Sequence, residues 1–485
     1  MNKLFAFIAL CFCITSKAQT GKPASLGHEI YITSNYKDTQ VYVGTYYGKI
    51  RTIIDSAKSD ATGLSFFSGP NKWTKGIYFF VTPQKTIEFE FLVDDAQHFS
   101  IAFSNANPGK LIVRGSEDNS DFAAYTDFLT TVSPQITALQ SKLSAAKSKN
   151  DTIEIRKQIK VKTGLLTDYR NELIARKPES LLARFLQVAN IPDAPAIPVS
   201  ADGTADSSYP YRFVKEHFWD HVDFYEDYLL RTPFFESKFE DYFKYYVSPN
   251  PDSIITEVDY MLYSARAGND IFTYLLGKFT DQYINPKIMG QDKVFLHLFQ
   301  NYYLQGDTNW LNDKQKKYIF DRGYSLFANQ LNDPAPQLEL TDTSGKAVSL
   351  YNIKAPYTFI AFWDPHCGHC KEKIPLVDSI YKAKWKALGI KLLGVCVQDY
   401  LIDDWKKFIV EKNLEGWTHA YQTKEAKTKV EMSNQPTYHQ LYDIQQTPTF
   451  YLLDEQKHII AKGLTLEQYD NIITTKSNQT QLSNQ

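Results

Sequence analysis

The stretch from Phe359 to Pro375, FIAFWDPHCGHCKEKIP, constrains this chain most, because apolar strand, turn and reactive thiols follow one another there in a chemically meaningful order. Phe359, Ile360, Ala361, Phe362 and Trp363 form a short, aromatic-rich apolar run of the kind that makes a buried strand. Asp364 and Pro365 break it. Cys367 and Cys370 follow with Gly368 and His369 between them, and the Lys/Glu pattern beyond Cys370 predicts the first turns of a helix. The first thiol then falls at a helix N-terminus, where unpaired backbone N–H groups and the helix dipole favour a thiolate.

Thiol–disulfide exchange begins with a thiolate attacking a disulfide sulfur, and a second thiol must then reach the mixed disulfide to resolve it. Cys367, nearer the exposed helix start, is the expected nucleophile, and Cys370, one turn in, the resolving thiol. His369 between them, when protonated, adds positive charge beside the thiolate and makes the pair more oxidising. Two blander uses compete. A structural zinc site needs four ligands, and the chain without its first residues has no other cysteine pair; His366 and His369 share the same short turn and cannot easily surround one ion. A purely structural disulfide rarely closes so short a loop, because little chain entropy is removed. No metal is therefore expected.

Trp363, Cys367, Cys370 and Pro375 sit where a thioredoxin-fold protein has its strand-end tryptophan, its two active-site cysteines and its helix-kinking proline. Downstream, Gln446-Thr447-Pro448-Thr449-Phe450 resembles that fold's cis-proline loop entering the next strand, which would set Thr447 and Pro448 facing the cysteines. Within the superfamily the chain is similar to the TlpA-like group of envelope thiol–disulfide oxidoreductases, through Pro334-Ala335-Pro336, the hairpin signal Asp342-Thr343-Ser344-Gly345-Lys346 and Val348-Ser349-Leu350. The resemblance covers about the last third of the chain. It implies that substrate contact and redox tuning fall to Trp363, Pro365, His366, Gly368, His369, Thr447 and Pro448, and that no cofactor beyond the cysteine pair is required.

The chain departs from that family in its acids. Thioredoxin's buried strand aspartate is replaced by Ala361, and the glutamate that many TlpA-like proteins carry two residues before the helix proline is replaced by Lys373, with Glu372 beside it. The proton carrier for Cys370 is left open between Glu372 and water. CGHC is also the sequence found in protein disulfide isomerases, whose potentials are less reducing than thioredoxin's. A thiol peroxidase would place its cysteine in a Pro-x-x-x-Thr/Ser-x-x-Cys frame, which Thr358 and Asp364 do not supply.

At the other end, residues 1–18 read as a secretory signal: Lys3, an apolar run from Leu4 to Ile14, and small residues at Ser16 and Ala18 for the peptidase. That run is short for a membrane span. Cys11 and Cys13 lack the small residue expected before a lipidated cysteine, so a lipoprotein is not expected. Cleavage after Ala18 leaves 51 basic against 55 acidic residues, a formal net charge of −4 in place of −2. Such a balance argues against nucleic acid as partner. Only Cys367, Cys370 and Cys396 remain, so disulfides are this exported chain's chemistry rather than its scaffold.

Between the two ends the periodicity changes once. Residues 22–118 show period-two runs, Ile30 with Ile32, Val41 with Val43, Ile77 with Phe79, Phe89 with Phe91 and Phe99 with Ile101, which predict an antiparallel β-sandwich. Residues 119–331 are helical in pattern. Ser133-Pro134 is expected as an N-cap with a first-turn proline, and residues 190–210 as a mobile loop. The aromatics from Phe218 to Tyr246 are expected as core rather than a groove. His217 and His221, placed four apart on one helix face, are expected to be a solvated face rather than a metal site. No Walker loop, dinucleotide glycine pattern or HExxH occurs there. Cys396 is expected as a buried, structural thiol ending a strand.

The expected architecture is multidomain: a signal peptide at 1–18, an N-terminal antiparallel β-sandwich at 22–118, a central all-α domain at 119–331 and a C-terminal α/β thioredoxin-like fold at 334–478. The expected function is an exported thiol–disulfide oxidoreductase of the periplasm or cell envelope. It would act on protein thiols and disulfides, draw on a separate redox donor, and use the accessory domains for a possible homo-oligomer. The alternative is an envelope binding protein in which the redox domain is an accessory scaffold.

Overall fold

The computed structural model describes residues 27–103, 110–199 and 203–483. The expected signal peptide, with Cys11 and Cys13, lies outside them. The chain divides into two compact units, one ending at Tyr246 and the other starting at Val247, so the stretch with helical periodicity contributes to both.

The first unit opens with eight strands: β1 (His28–Thr33), β2 (Gln40–Tyr47), β3 (Ile50–Lys58), β4 (Leu64–Gly69), β5 (Gly76–Val81), β6 (Ile87–Val93), β7 (His98–Phe103) and β8 (Leu111–Arg114). They form two four-stranded sheets, ordered β4-β1-β7-β8 and β3-β2-β5-β6. Ile30, Ile32, Phe67, Phe99 and Ile101 from one sheet and Val41, Val43, Phe80, Phe91 and Val93 from the other share one buried cluster. The alternation read from the sequence selects these inward residues, since successive strand side chains point to opposite faces. The expectation of wholly antiparallel pairing is corrected at one ladder, because β1 runs parallel to β7. The long excursion between them through the other sheet lets the chain re-enter in the same direction, which a tight hairpin cannot do. β3 went unread because seven of its nine residues, Ile50, Ile53 and Ile54 among them, are exposed.

Five helices complete this unit: α1 (Glu117–Ala145), α2 (Lys149–Arg176), α3 (Leu181–Val188), α4 (Tyr209–His217) and α5 (Phe235–Tyr245). The N-cap of α1 is Ser116, whose hydroxyl accepts from the Asn119 N–H, and Pro134 lies inside the helix; Ser133 is no cap. The reason is that Ser116 already satisfies the first-turn donors seventeen positions earlier, and the helix continues through the proline. Most of the aromatics behave as core, Phe218, Trp219, Phe224, Tyr228, Phe235, Phe239 and Tyr242 being buried, whereas Tyr225 and Tyr245 are exposed. His217 and His221 do not share a helix face. α4 ends at His217, which pairs with Asp220 at 2.8 Å, and His221 sits in a turn at φ 63°.

The second unit begins with α6 (Pro251–Ser264), α7 (Asp270–Tyr283), α8 (Asp292–Leu298) and α9 (Asp313–Leu326). A seven-stranded sheet follows, built from β9 (Glu339–Asp342), β10 (Ala347–Ser349), β11 (Thr358–Trp363), β12 (Lys391–Cys396), β13 (Thr418–Tyr421), β14 (Thr449–Leu453) and β15 (Ile459–Lys462) in the order β10-β9-β13-β12-β11-β14-β15. β12 runs parallel to β11 and to β13, while β14 runs antiparallel to β11. Its helices are α10 (Gly368–Ile380), α11 (Ile402–Glu411), α12 (Lys424–Met432), α13 (Tyr438–Leu441) and α14 (Leu466–Ser483). The long stretch between β13 and β14 thus carries two short helices, α12 and α13.

Every residue of β11 is buried, which explains why it reads as a continuous apolar run. Phe359, Ala361 and Trp363 face one apolar cluster and Ile360 and Phe362 the other. Onto the first face α10 lays Cys370, Ile374, Val377 and, just past its end, Tyr381. Pro375 inside α10 costs roughly 3 kcal/mol, against roughly 1.5–3 kcal/mol for each fully buried apolar side chain. Burial on that face outweighs the proline, so the helix persists through it.

Candidate active site

Each functional side chain is held where β11 gives way to α10. Asp364, the first residue after the strand, turns its Oδ1 back to accept the N–H groups of His366 at 2.9 Å and Cys367 at 2.8 Å. This local turn needs a short acceptor side chain directly ahead of the bend, which aspartate supplies. It sets Cys367 as the N-cap residue of α10, with extended backbone at φ −69°, ψ 124°. Cys367 is half-buried and Cys370 fully buried, and both are free thiols.

The opposite wall is the loop before β14. The Thr447–Pro448 peptide is cis. The Cys367 thiol donates to the Thr447 carbonyl oxygen at 3.2 Å, and the Thr447 hydroxyl donates to Asp364 Oδ2 at 3.0 Å. One carboxylate oxygen of Asp364 and the two sulfurs all lie within 4.8 Å of one another. Three donors fall short of the four that a structural zinc site uses.

The two thiols are driven apart electrostatically. Burial pushes the Cys367 thiol up, but hydrogen bonds from Thr447, from the Cys370 N–H and thiol and from the His369 N–H outweigh it, leaving Cys367 below its ordinary value. Burial pushes Cys370 up to about 12, only partly opposed by the Asp364 N–H and by Thr447. One thiol is thus readied as the thiolate that attacks, and its neighbour is kept protonated.

The remaining expected residues surround this pair unevenly. Trp363 is fully buried and packs beneath it against Trp405 and Phe408, with ring centroids 5.8 and 5.3 Å away. Pro365 is buried in the turn, while Gly368 and His369 are exposed. A Cβ on Gly368 would meet nothing within 4 Å, so no close contact demands glycine there. His366 is exposed and its Nε2 lies 2.9 Å from Asp404 Oδ2; this contact holds the Asp404 carboxyl below its ordinary value. Pro448 lines one end of a cleft of about 550 Å³ shared with Thr449, Phe450, Leu464, Met289 and Arg322. Cys396 is buried, its sulfur 3.4 Å from the Gln398 carbonyl, and burial pushes it up to about 12.

Glu372, one of two expected proton carriers, is exposed, whereas Cys370 is buried. The carboxylate beside the thiols is Asp364, which sequence reading treated only as a strand breaker. Its spacing was the available signal, since an aspartate two and three residues before two turn N–H groups is placed to cap them.

Residues 331–462 match the AhpC/TSA family, and residues 144–324 match a domain family of unknown function, DUF5106. The thiol–disulfide oxidoreductase ResA of a Bacillus cereus strain is 23% identical over 133 residues, which are 27% of this chain and 69% of the relative. ResA of Bacillus subtilis is 35% identical over 63 residues, 13% of this chain and 35% of the relative. The C-terminal domain is a thioredoxin-like oxidoreductase domain. Most of the curated relatives are matched over little more than a third of their own length. Among solved structures, a thioredoxin-like protein from Bacteroides caccae is similar at 20% identity and a TM-score of 0.43, covering 58% of this chain and 98% of that one. Among the described residues, no helix is long and apolar enough to cross a membrane.

Proposed function

We propose that this chain is an exported thiol–disulfide oxidoreductase of the TlpA-like group that exchanges disulfides with protein substrates through Cys367 and Cys370. The observation that carries the reading is the asymmetry of the pair: a half-buried Cys367 favoured as thiolate beside a buried Cys370 held neutral. Cys367 attacks the substrate disulfide, and Cys370 resolves the mixed disulfide so formed. Thr447 and Pro448 bear on the substrate backbone near the sulfur, Trp363 supports the turn from below, and Pro365, His366, Gly368 and His369 shape and tune the rim. The cysteine pair is the only redox group required.

Export to the periplasm or cell envelope is supported by Lys3 and the apolar run that follows it. A separate donor returns electrons to the pair. The two N-terminal sheets form a sandwich that, with the helical region after it, serves partner binding or self-association. The division at 118, 331 and 334 belongs to this proposal.

The test is a Cys370→Ser variant offered a protein disulfide. Trapping of a mixed disulfide through Cys367 is the expected result, and no adduct would instead favour a binding protein with a dormant redox domain. The potential of the wild-type pair then gives direction: near about −270 mV for a reductase, about −120 to −180 mV for an oxidase or isomerase.

A further inference from the structure

Cys370 poses a problem that the exchange reaction must solve, because a fully buried thiol has to shed its proton before it can attack. Ala361, in the same buried cluster as Cys370, supplies no acid, and Glu372 and Lys373 on α10 are exposed. Asp364 occupies the gap. Its Oδ1 is committed to the N–H groups of His366 and Cys367, while its Oδ2 faces the Thr447 hydroxyl at 3.0 Å, and a carboxylate oxygen lies within 4.8 Å of both sulfurs. The Thr447 side chain acts on both thiols, favouring the thiolate at each. A hydroxyl can accept one proton while giving up its own.

We propose that Asp364 is the general base for the resolving thiol, receiving the Cys370 proton through the Thr447 hydroxyl. The inference rests on the oxidoreductase reading. In the mixed disulfide, Cys367 Sγ is bonded to the substrate sulfur. The Cys370 proton passes to Thr447 Oγ1 as the Thr447 proton passes to Asp364 Oδ2. The Cys370 thiolate attacks Cys367 Sγ, the Cys367–Cys370 bond forms, and the bond from Cys367 to the substrate breaks. The electron pair leaves with the substrate sulfur, and the proton held on Asp364 or one from water neutralises that thiolate. The substrate disulfide has gained two electrons and the cysteine pair has lost two.

The groups facing Asp364 are the Cys367 and Cys370 thiols from the start of α10, the Thr447 hydroxyl from the loop before β14, the Cys396 thiol from β12 and His366, itself paired with Asp404 of α11. Glu372 is not among them, since its side chain is exposed on α10.

The experiment is stopped-flow reaction of the reduced full chain with one equivalent of 5,5′-dithiobis(2-nitrobenzoate). Attack by Cys367 releases the first coloured thiolate and resolution by Cys370 releases the second. Asp364→Asn keeps an oxygen for the two turn N–H groups but cannot take a proton. Its first phase is expected close to the parent's and its second slower by roughly 100-fold, the scale of general-base catalysis. Its second phase should also climb with pH where the parent's has levelled off, because only hydroxide is left to deprotonate Cys370. Thr447→Val, which interrupts the relay without touching the cap, should slow the second phase more than the first, which it also slows by removing a hydrogen bond that favours the Cys367 thiolate. An unchanged second phase in Asp364→Asn overturns the proposal. Equal slowing of both phases also overturns it, by reducing Asp364 to a residue that only positions the turn. A parent that releases one thiolate and never the second sinks the oxidoreductase reading itself.

Discussion

The Cys367 thiol meets the carbonyl oxygen of Thr447 at 3.2 Å across 80 positions of sequence, so the loop before β14 touches the sulfur that begins the reaction. Hydrogen bonds from the Thr447 side chain and from the start of α10 are what bring Cys367 below its ordinary value, since burial alone would push both thiols up. Iodoacetamide labelling of the native reduced chain across pH should therefore resolve two titrations. Cys367, held below the ordinary thiol value of 9.0, reaches its thiolate at lower pH and labels first. Cys370, pushed up to about 12, stays unlabelled until strongly alkaline solution. The sign follows from the thiolate being the nucleophile. Two cysteines titrating together near the ordinary value would show that the helix start and Thr447 do not divide them.

The site was legible where chemistry and strand pattern coincide in sequence. The buried β11, the thiol at the start of α10 and the Thr447–Pro448 loop could be placed because apolar runs, C-x-x-C spacing and a Thr-Pro step are local signals. The cap made by Asp364 had a local signal in its spacing, but its bond to Thr447, 83 positions away, lies in no local window. The same limit applies to the first unit. Inward strand residues such as Val41, Val43 and Phe91 follow period two, but the parallel β1–β7 ladder depends on the chain's path and leaves no periodic trace. Pro134 misled for a related reason: a proline reads as a helix start, yet packing along α1 carried the helix through it.

Gly323 sets helix propensity against packing. In the exposed interior of a helix, alanine is favoured over glycine by about 1 kcal/mol. Here a Cβ would stand 2.4 to 2.6 Å from the Cγ, Cδ1 and Cδ2 atoms of Phe299, a ring with no exposed surface that is also held by Phe320 and Tyr324. Overpacking of this kind typically costs about 1–3 kcal/mol or more, so Gly323→Ala should be net destabilising for the second unit. Pulsed labelling of the buried thiols Cys370 and Cys396 during urea unfolding reads that unit selectively, because among the described residues all cysteines belong to it. A midpoint shifted to higher urea would mean that Phe299 yields and propensity wins.

Lys462 is a buried charge of the second unit. Its ammonium donates to Asp292 Oδ2 at 2.6 Å and to Asn329 Oδ1 at 2.7 Å, with both ionic side chains nearly enclosed. Burial holds Lys462 below its ordinary value even with Asp292 beside it, so desolvation outweighs the pairing for this group. Removing one partner of such a pair strands the other, which typically costs about 3–5 kcal/mol, whereas replacing both with apolar side chains is often close to neutral. Lys462→Met alone and Asp292→Leu alone should each lower the urea midpoint of the thiol-labelling transition steeply, and the double variant should recover much of the loss. The pair joins α8 to β15, next to the cleft that Pro448 also lines. Its rupture should therefore loosen the cleft wall while leaving the turn at Asp364 intact. Single-variant losses that simply add in the double variant would mean that the two charges do not depend on each other, and the strand would then owe its attachment to apolar packing alone.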